Sequence, residues 1–511
     1  MTSAPPPLSS ARHGIVRELI QLPQERRIKM LALACLIFFT TCGGAFGLEP
    51  LIGAVGPGGA IFLILVTPFV WSLPTALMAA ELTTLMPDEG GSYIWVREAF
   101  GPFWAVQQAC WSMTTSVVWL AMYPVLFVSY LAFLYPSLAA SASSPHSGMV
   151  SFIRWLIALL VIASSMGLNL LGAREVGRAA KVGAYIVLGA FVVLLFVWLK
   201  RAPAPSSFFA TISRGFPSGH RAALLLGLSY IVFDCSGWEN ASTYAGEVDQ
   251  PQRNYPRALA LALLVLILCY LLPVIAGVTV TTEAAIWSSD TGWPVIAQLI
   301  GGHWLGSLIA IAGLVSMWGL FNAQLLYLSR LPYVLSCDGW LPKILARVSA
   351  TAIVPRVAIV CIGAIAALFA NLSFGSLAII QCLLYAGALT LEFLALLVLR
   401  VRCPDCRRAF KVPCGWLGMG YVCITPFAFA VLLLFATLRD WRSFPGQLLV
   451  VILVSLGAVS LYLFRRRIAV QRHGERLASV ANSSSVIKHR MNGIDPNRQS
   501  HSKSGKHNRR S

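Results

Sequence analysis

Five acidic residues lie inside long apolar stretches of the sequence: Glu49, Glu81, Asp234, Glu239 and Glu392. A carboxylate at the centre of a bilayer costs about 2.5–3.5 kcal/mol even on permissive scales, so each needs a chemical reason. The same stretches hold essentially no Lys or Arg away from their ends. Acids without internal cations have three uses: to bind a cationic substrate group, to carry a proton, or to stay protonated and neutral. Glu239 is the first choice for proton coupling or cation binding. Its neighbour Trp238 can stack on an alkyl chain or hold an ammonium by cation–π attraction. Asp234 is placed against substrate, and Glu49 is expected to bind a cation or proton toward the outer vestibule. Glu81, near the inner end of its stretch, reads as a gate, and Glu392 as structural.

The elements that must position these acids carry their own signals. Residues 36–50 read Leu-Ile-Phe-Phe-Thr-Thr-Cys-Gly-Gly-Ala-Phe-Gly-Leu-Glu-Pro, with Gly43, Gly44 and Gly47 in the middle of an apolar segment. Each glycine disfavours helix by about 1 kcal/mol relative to Ala. Residues 230–242 read Tyr-Ile-Val-Phe-Asp-Cys-Ser-Gly-Trp-Glu-Asn-Ala-Ser, polar where a lipid-facing helix is apolar. Two helix breaks are therefore expected, and a break within a membrane survives only where it faces protein or a cavity. The substrate-binding residues expected at them are Thr41, Cys42, Gly43, Gly44 and Gly47 in the first, and Asp234, Ser236, Gly237 and Trp238 in the second.

The composition sets the surroundings. Of 511 residues, 57% are hydrophobic and 12% charged, against about 45–50% and about 25% in a soluble protein. That excludes a soluble enzyme or nucleic-acid module and predicts an all-α integral membrane protein. Apolar stretches long enough to span, about 20 residues, fall at 28–55, 59–85, 103–134, 151–171, 182–199, 222–241, 257–281, 303–328, 354–371, 375–399, 420–438 and 446–464. The breaks then lie in the first and sixth of about twelve spans. Paired interruptions in corresponding spans mark the binding site of inverted-repeat transporters, here two five-helix repeats plus two extra helices.

The net charge of +19 follows the same topology. Before the tail, 20 Lys and Arg fall on one side of the twelve spans and 7 on the other, which sets both termini in the cytoplasm. Residues 1–27 form a cytoplasmic N-terminal segment without a cleavable signal peptide, 28–465 the transmembrane domain, and 466–511 a basic tail expected to be disordered.

These motifs carry a resemblance. Thr41-Cys-Gly-Gly-Ala-Phe-Gly-Leu-Glu49, Ala80-Glu-Leu with Pro87 to Gly91, and Gly237-Trp-Glu-Asn-Ala-Ser running into Ala245 to Arg257 resemble the amino acid–polyamine–organocation superfamily. Ser329-Arg, Asp338-Gly-Trp-Leu-Pro342 and Phe410-Lys-Val-Pro413 are similar to its later landmarks. Tyr123-Pro-Val-Leu-Phe127 and Leu391-Glu-Phe393 resemble its polyamine-uptake and L-type amino acid branch. The resemblance implies secondary active transport of an amino acid or polyamine at a plasma membrane, by alternating access, commonly with protons as symporter or antiporter. It also implies that an acid at the position of Glu239 takes part in proton-sensitive binding. Gln324 and Gln381 stand where that branch carries acids in spans 8 and 10. A polycation meets two fewer carboxylates here, so an amino acid is an equal expectation. Some proton-coupled relatives place a Lys midway along span 5, whereas Lys181 is read at the start of that span.

The expected partners are a small-molecule substrate, H+ and the lipid bilayer, with no nucleic acid, no cofactor and no metal. Cys403-Pro-Asp-Cys406, with Cys414 nearby, has a metal-like spacing but no second pair, and is read as part of an inner basic loop. No P-loop is present, and all eight His fall in loops, span ends or tails. An enzyme is therefore not expected; a non-transporting nutrient receptor on the same fold is the alternative reading.

Overall fold

The computed structural model describes residues 27–139, 147–201, 221–289, 291–349, 354–369, 374–439 and 449–468. The basic tail beyond residue 468 and the first 26 residues lie outside them. Among the described residues the fold is all helical, and an isolated bridge between Ile28 and Val248 is the one recorded β interaction. The chain divides into two units, Met1–Ala458 and Val459–Ser511; what is described of the second is helix up to residue 468.

The first apolar stretch begins with α1 (Met30–Thr41) and stops at the glycine cluster. Helix resumes as α2 (Glu49–Thr67), turns sharply at Gly56 ahead of Pro57, and passes through a π-helical turn, Pro68–Ser72, into α3 (Leu73–Leu85). A short α4 (Gly91–Phe100) precedes α5 (Pro102–Leu134), which starts on a proline after Gly101. Proline suits that first position because its missing N–H has no helical partner there. Then come α6 (Ser147–Leu171) and α7 (Ala173–Lys200). The latter begins nine residues before the expected 182. Gly172 ends the preceding turn, and Arg174, Arg178 and Lys181 continue the helix rather than precede it. Lys181 is thus in the third turn and not at its start.

The sixth stretch is α8 (Arg221–Asp234), broken over Cys235–Glu239 and continued by a 3₁₀ segment, Asn240–Glu247. Beyond it lie α9 (Pro251–Val280), the short α10 (Ala284–Trp287) and α11 (Gly292–Gly301), and the 35-residue α12 (His303–Cys337). The remaining helices are α13 (Arg356–Phe369), α14 (Phe374–Arg402), α15 (Gly415–Arg439) and α16 (Leu449–Ile468). Both expected breaks are present in the expected spans. Eight of the described helical segments are long and apolar enough to cross a membrane, and further shorter apolar helices accompany them.

α12 is the central post, packing on α5, α7, α11 and α1. The first broken segment packs against it through α1 and the second through its 3₁₀ segment, and the two meet where α2 packs on α8 and α1 on the 3₁₀ segment. The outward faces of α6 and α16 expose Leu160, Leu171, Leu453 and Leu456, apolar surface of the kind that lipid covers.

Candidate functional site at the two helix breaks

α1 ends by closing on itself. The Thr40 and Thr41 hydroxyls donate to the Ile37 carbonyl at 3.0 and 2.8 Å, and the Cys42 and Gly43 N–H groups both reach the Phe38 carbonyl at 2.9 Å. Gly43 then adopts φ +61°, and a Cβ there would lie 2.8 Å from both Leu320 Cδ1 and Ser316 Oγ on α12. Only glycine meets both conditions. Ser316 donates its hydroxyl to the Gly43 carbonyl, and Trp293 Nε1 donates to the Ala45 carbonyl at 2.7 Å. α2 restarts at Glu49, whose Oε2 accepts the Gly47 N–H at 2.8 Å. An acid in that first turn also meets the positive end of the helix dipole.

The second break is held from several helices. The Asp234 carbonyl accepts from Tyr270 on α9, and the Cys235 carbonyl accepts Trp238 Nε1 at 2.8 Å and Ser72 Oγ at 3.3 Å. Trp71 Nε1 donates to Ser236 Oγ at 3.2 Å from the π-helical turn. Such turns re-aim side chains within a helix. Gly237, at φ +97°, brings the two breaks together: a Cβ there would sit 2.5 Å from the Thr40 carbonyl. At Gly47 an added Cβ would approach Asp234 Oδ1 to 3.0 Å. Asp234 and the Gly47–Glu49 turn are thus neighbours across 185 residues of sequence.

The Tyr385 hydroxyl on α14 joins the break to its acid. It accepts the Gly237 N–H at 3.0 Å and donates to Glu239 Oε2 at 3.1 Å. Its ring centroid lies 5.7 Å from Trp119 and 6.4 Å from Trp71, and Trp119 packs on Phe233 at 5.8 Å. A buried carboxylate held by a tyrosine whose ring packs on two tryptophans suits an amine on an alkyl chain. Further along α14, Glu392 accepts Gln108 Nε2 at 2.8 Å, and the same amide donates to Ser92 and Ser112 at 3.0 Å. Asn240 Nδ2 reaches Gln324 Oε1 at 3.4 Å.

The structure therefore brings Gly47 up to Asp234 and Thr40 up to Gly237, whereas Gly43 faces Ser316 and Leu320 on α12 and Gly44 faces Val187 and Phe191 on α7. Thr41 and Trp238 direct their polar hydrogens back onto their own segments. Glu81 stands apart from the breaks. Arg400 Nη1 donates to its Oε2, Arg408 Nε lies 3.1 Å from its Oε1, and the Val412 N–H donates at 2.7 Å. The side chain of Gln381 lies outside the described residues.

Four residues that shape the site or its surroundings, Tyr385, Trp71, Trp119 and Arg330, are not among the site residues expected from the sequence. Tyr385 shares a helical stripe with Gln381 and Glu392, at spacings of four and seven residues, and that periodicity could have exposed it. Trp71 and Trp119 had no such signal. Arg330 was read as lying just beyond the eighth span. α12 runs on to Cys337, so Arg330 is buried, with Nε 2.8 Å from Glu247 Oε1 and Nη2 3.2 Å from Glu247 Oε2.

Comparison with known proteins agrees with this architecture. The family model described as amino acid permease matches residues 28–455. The chain is 33% identical over 442 residues to polyamine transporter RMV1 of Arabidopsis thaliana, covering 85% of this chain and 84% of that one. It is 33% identical over 440 residues to polyamine transporter PUT1 of Oryza sativa subsp. japonica, covering 86% and 77%. A probable polyamine transporter of Arabidopsis thaliana is 33% identical over 412 residues, covering 80% and 82%. With its apolar spans and its two interrupted helices, the chain is a multi-pass membrane transporter that belongs to the amino acid permease family.

Proposed function

We propose that the protein is a secondary active transporter that moves an amine-bearing amino acid or polyamine by alternating access, coupled to protons. The observation that carries this reading is Glu239. Its carboxylate is buried beside the second break, hydrogen-bonded to a tyrosine hydroxyl, and in no ion pair among the described residues. In the outward-facing arrangement Glu239 carries a proton or holds the cationic group of the substrate. Inward opening changes its hydration and releases the load. A substrate carboxylate at the start of α2 would take the place of the Glu49 carboxylate that now holds the Gly47 N–H there. Asp234 and Glu49 lie within electrostatic reach of each other, as do Glu239 and Glu392. Two acid pairs favour a cationic substrate, and the printed names of the relatives support the polyamine side. Gln324 and Gln381, in place of acids, support a substrate with fewer charges. The excess of Lys and Arg on one side supports cytoplasmic termini, and the plasma membrane is the proposed location.

The test is uptake by the purified protein in liposomes, with and without an inward proton gradient. Labelled substrate competes against leucine, arginine, putrescine and spermidine. The expected result is saturable uptake that rises as the outside is acidified, with arginine and putrescine competing above leucine and spermidine competing weakly. Spermidine above every amino acid assigns a polyamine substrate. Binding without uptake assigns a receptor instead. Glu239→Gln mimics the protonated acid and cannot titrate. It should bind substrate yet lose the pH dependence of uptake across pH about 5–8, the range where a proton carrier must titrate. A wild-type pH profile with normal accumulation would show Glu239 to be structural and move the coupling site to Asp234.

A further inference from the structure

The cysteines that follow α14 have no part in the transport reading. Cys403 and Cys406 are partly exposed and free, and their thiols lie within electrostatic reach of each other. The turn between them is closed by the Cys406 N–H on the Cys403 carbonyl at 3.4 Å. Arg408 clamps the same turn. Its Nη1 donates to the Cys403 carbonyl at 2.9 Å and to the Cys406 carbonyl at 3.4 Å, and its Nη2 donates to the Leu399 carbonyl at 3.0 Å. The remaining face of this guanidinium meets Glu81 on α3. Its side chain is 1% exposed and that of Glu81 0%. One arginine thus reads the backbone of the dithiol turn on one side and a buried acid on the other.

We infer that Cys403 and Cys406 form a redox-modification site: a low-molecular-weight disulfide oxidises them to an intramolecular disulfide, and the altered turn loosens the hold of Arg408 on Glu81. The exchange balances without a metal. One cysteine thiolate attacks the small disulfide RSSR, forming a mixed disulfide and releasing one RS⁻. The second cysteine thiolate attacks the cysteine sulfur of that mixed disulfide and releases the other RS⁻. Two electrons pass from the protein thiols to RSSR, and the two protons end on the two RSH molecules released. Bridging draws the two Cβ atoms to about 3.5–4.5 Å and fixes the turn by a covalent bond. The carbonyls that now converge on Arg408 are then set by the bridge and not by the guanidinium. Burial, followed by the neighbouring Cys403 thiol, raises the Cys406 thiol above its usual range, while Arg408 lowers it. Exchange should therefore be slow near neutrality and quicken as pH rises and thiolate forms. That the pair is reduced at rest rests on the cytoplasmic placement of this loop proposed above.

The test uses the full-length protein in liposomes, first reduced, then treated with oxidised glutathione as RSSR, with intact mass, peptide mapping, thermal stability and uptake read in parallel. The expected product is the protein lighter by two hydrogens, with the bridge mapped to Cys403 and Cys406. Uptake should fall by roughly three- to tenfold, the ratio set by the loss of about one net hydrogen bond, and the melting temperature should fall with it. A reductant should restore both. Cys403→Ser and Cys406→Ser should keep reduced-state uptake and be indifferent to the oxidant. No bridge, or a bridge that leaves both uptake and melting unchanged, overturns the proposal. Stoichiometric zinc in the purified protein, released on substitution of these cysteines, overturns it in favour of a metal site. Absence of uptake in the reduced protein speaks against the transport reading alone, since the bridge and the melting shift are still measured. Impermeant-maleimide labelling of sealed vesicles of either orientation tests the placement of the loop separately.

Discussion

Two sets of buried acids share a residue type and differ in their partners. Glu247 faces Arg330 at 2.8 Å, and Glu81 is held by Arg400, Arg408 and the Val412 N–H. At the second break Glu239 has the Tyr385 hydroxyl, and further along α14 Glu392 has the Gln108 amide. An acid paired with a guanidinium holds a fixed charge, and opening that pair strands both ions. An acid facing hydroxyls and amides can take a proton, or exchange its partner for a substrate amine, without stranding a cation. The first arrangement ties helices together, and the second leaves a group able to change its load. The comparison also separates Glu81 from Glu49, Asp234 and Glu239, which the sequence presents as one kind of residue.

The largest expected effect lies in the first set. Arg330→Ala leaves Glu247 buried with no cation and should cost about 3–5 kcal/mol of stability, read as lost folded yield and melting temperature in detergent. Restoration by adding Glu247→Gln would sharpen the assignment of the cost to the stranded charge. Next, Glu81→Gln removes the acceptor of a charge-assisted hydrogen bond from Arg400 and the ion-pair partner of Arg408. It should cost about 1.5–3 kcal/mol, with the loosening read as faster proteolysis in the 403–412 segment. Tyr385→Phe, in the second set, removes the donor to Glu239 and the acceptor of the Gly237 N–H and should cost about 1–3 kcal/mol of stability. Its effect on uptake should exceed its effect on melting. If Tyr385→Phe destabilises as much as Arg330→Ala while uptake per folded molecule stays normal, the distinction between the two sets fails. The smallest effect belongs to Arg178→Ala. Its pair with Glu175 is 55% and 36% exposed and should contribute about 0–1 kcal/mol, leaving melting and uptake near wild type.

The membrane class, the breaks at Gly43–Gly47 and Cys235–Glu239, and the acids beside them are legible in the sequence because each is a local departure from an apolar background. Glycines interrupt helix by their own backbone freedom, and a charge inside an apolar stretch stands out with no knowledge of its neighbours. Helix ends were less legible. Arg174, Arg178 and Lys181 looked like a boundary before α7, and Arg330 like one after α12, because a long side chain can turn its charge outward or find a buried partner at the same helical position. Partnership itself was not in the sequence. Arg330 and Glu247 lie 83 residues apart, Arg400 and Glu81 lie 319 apart, and Tyr385 and Glu239 lie 146 apart. Only the packing of α14 against α3, and of the 3₁₀ segment against α12, decides which acid meets a guanidinium and which a hydroxyl. A side chain's charge is written in its residue type, whereas its solvation and its counter-charge are properties of the tertiary neighbourhood.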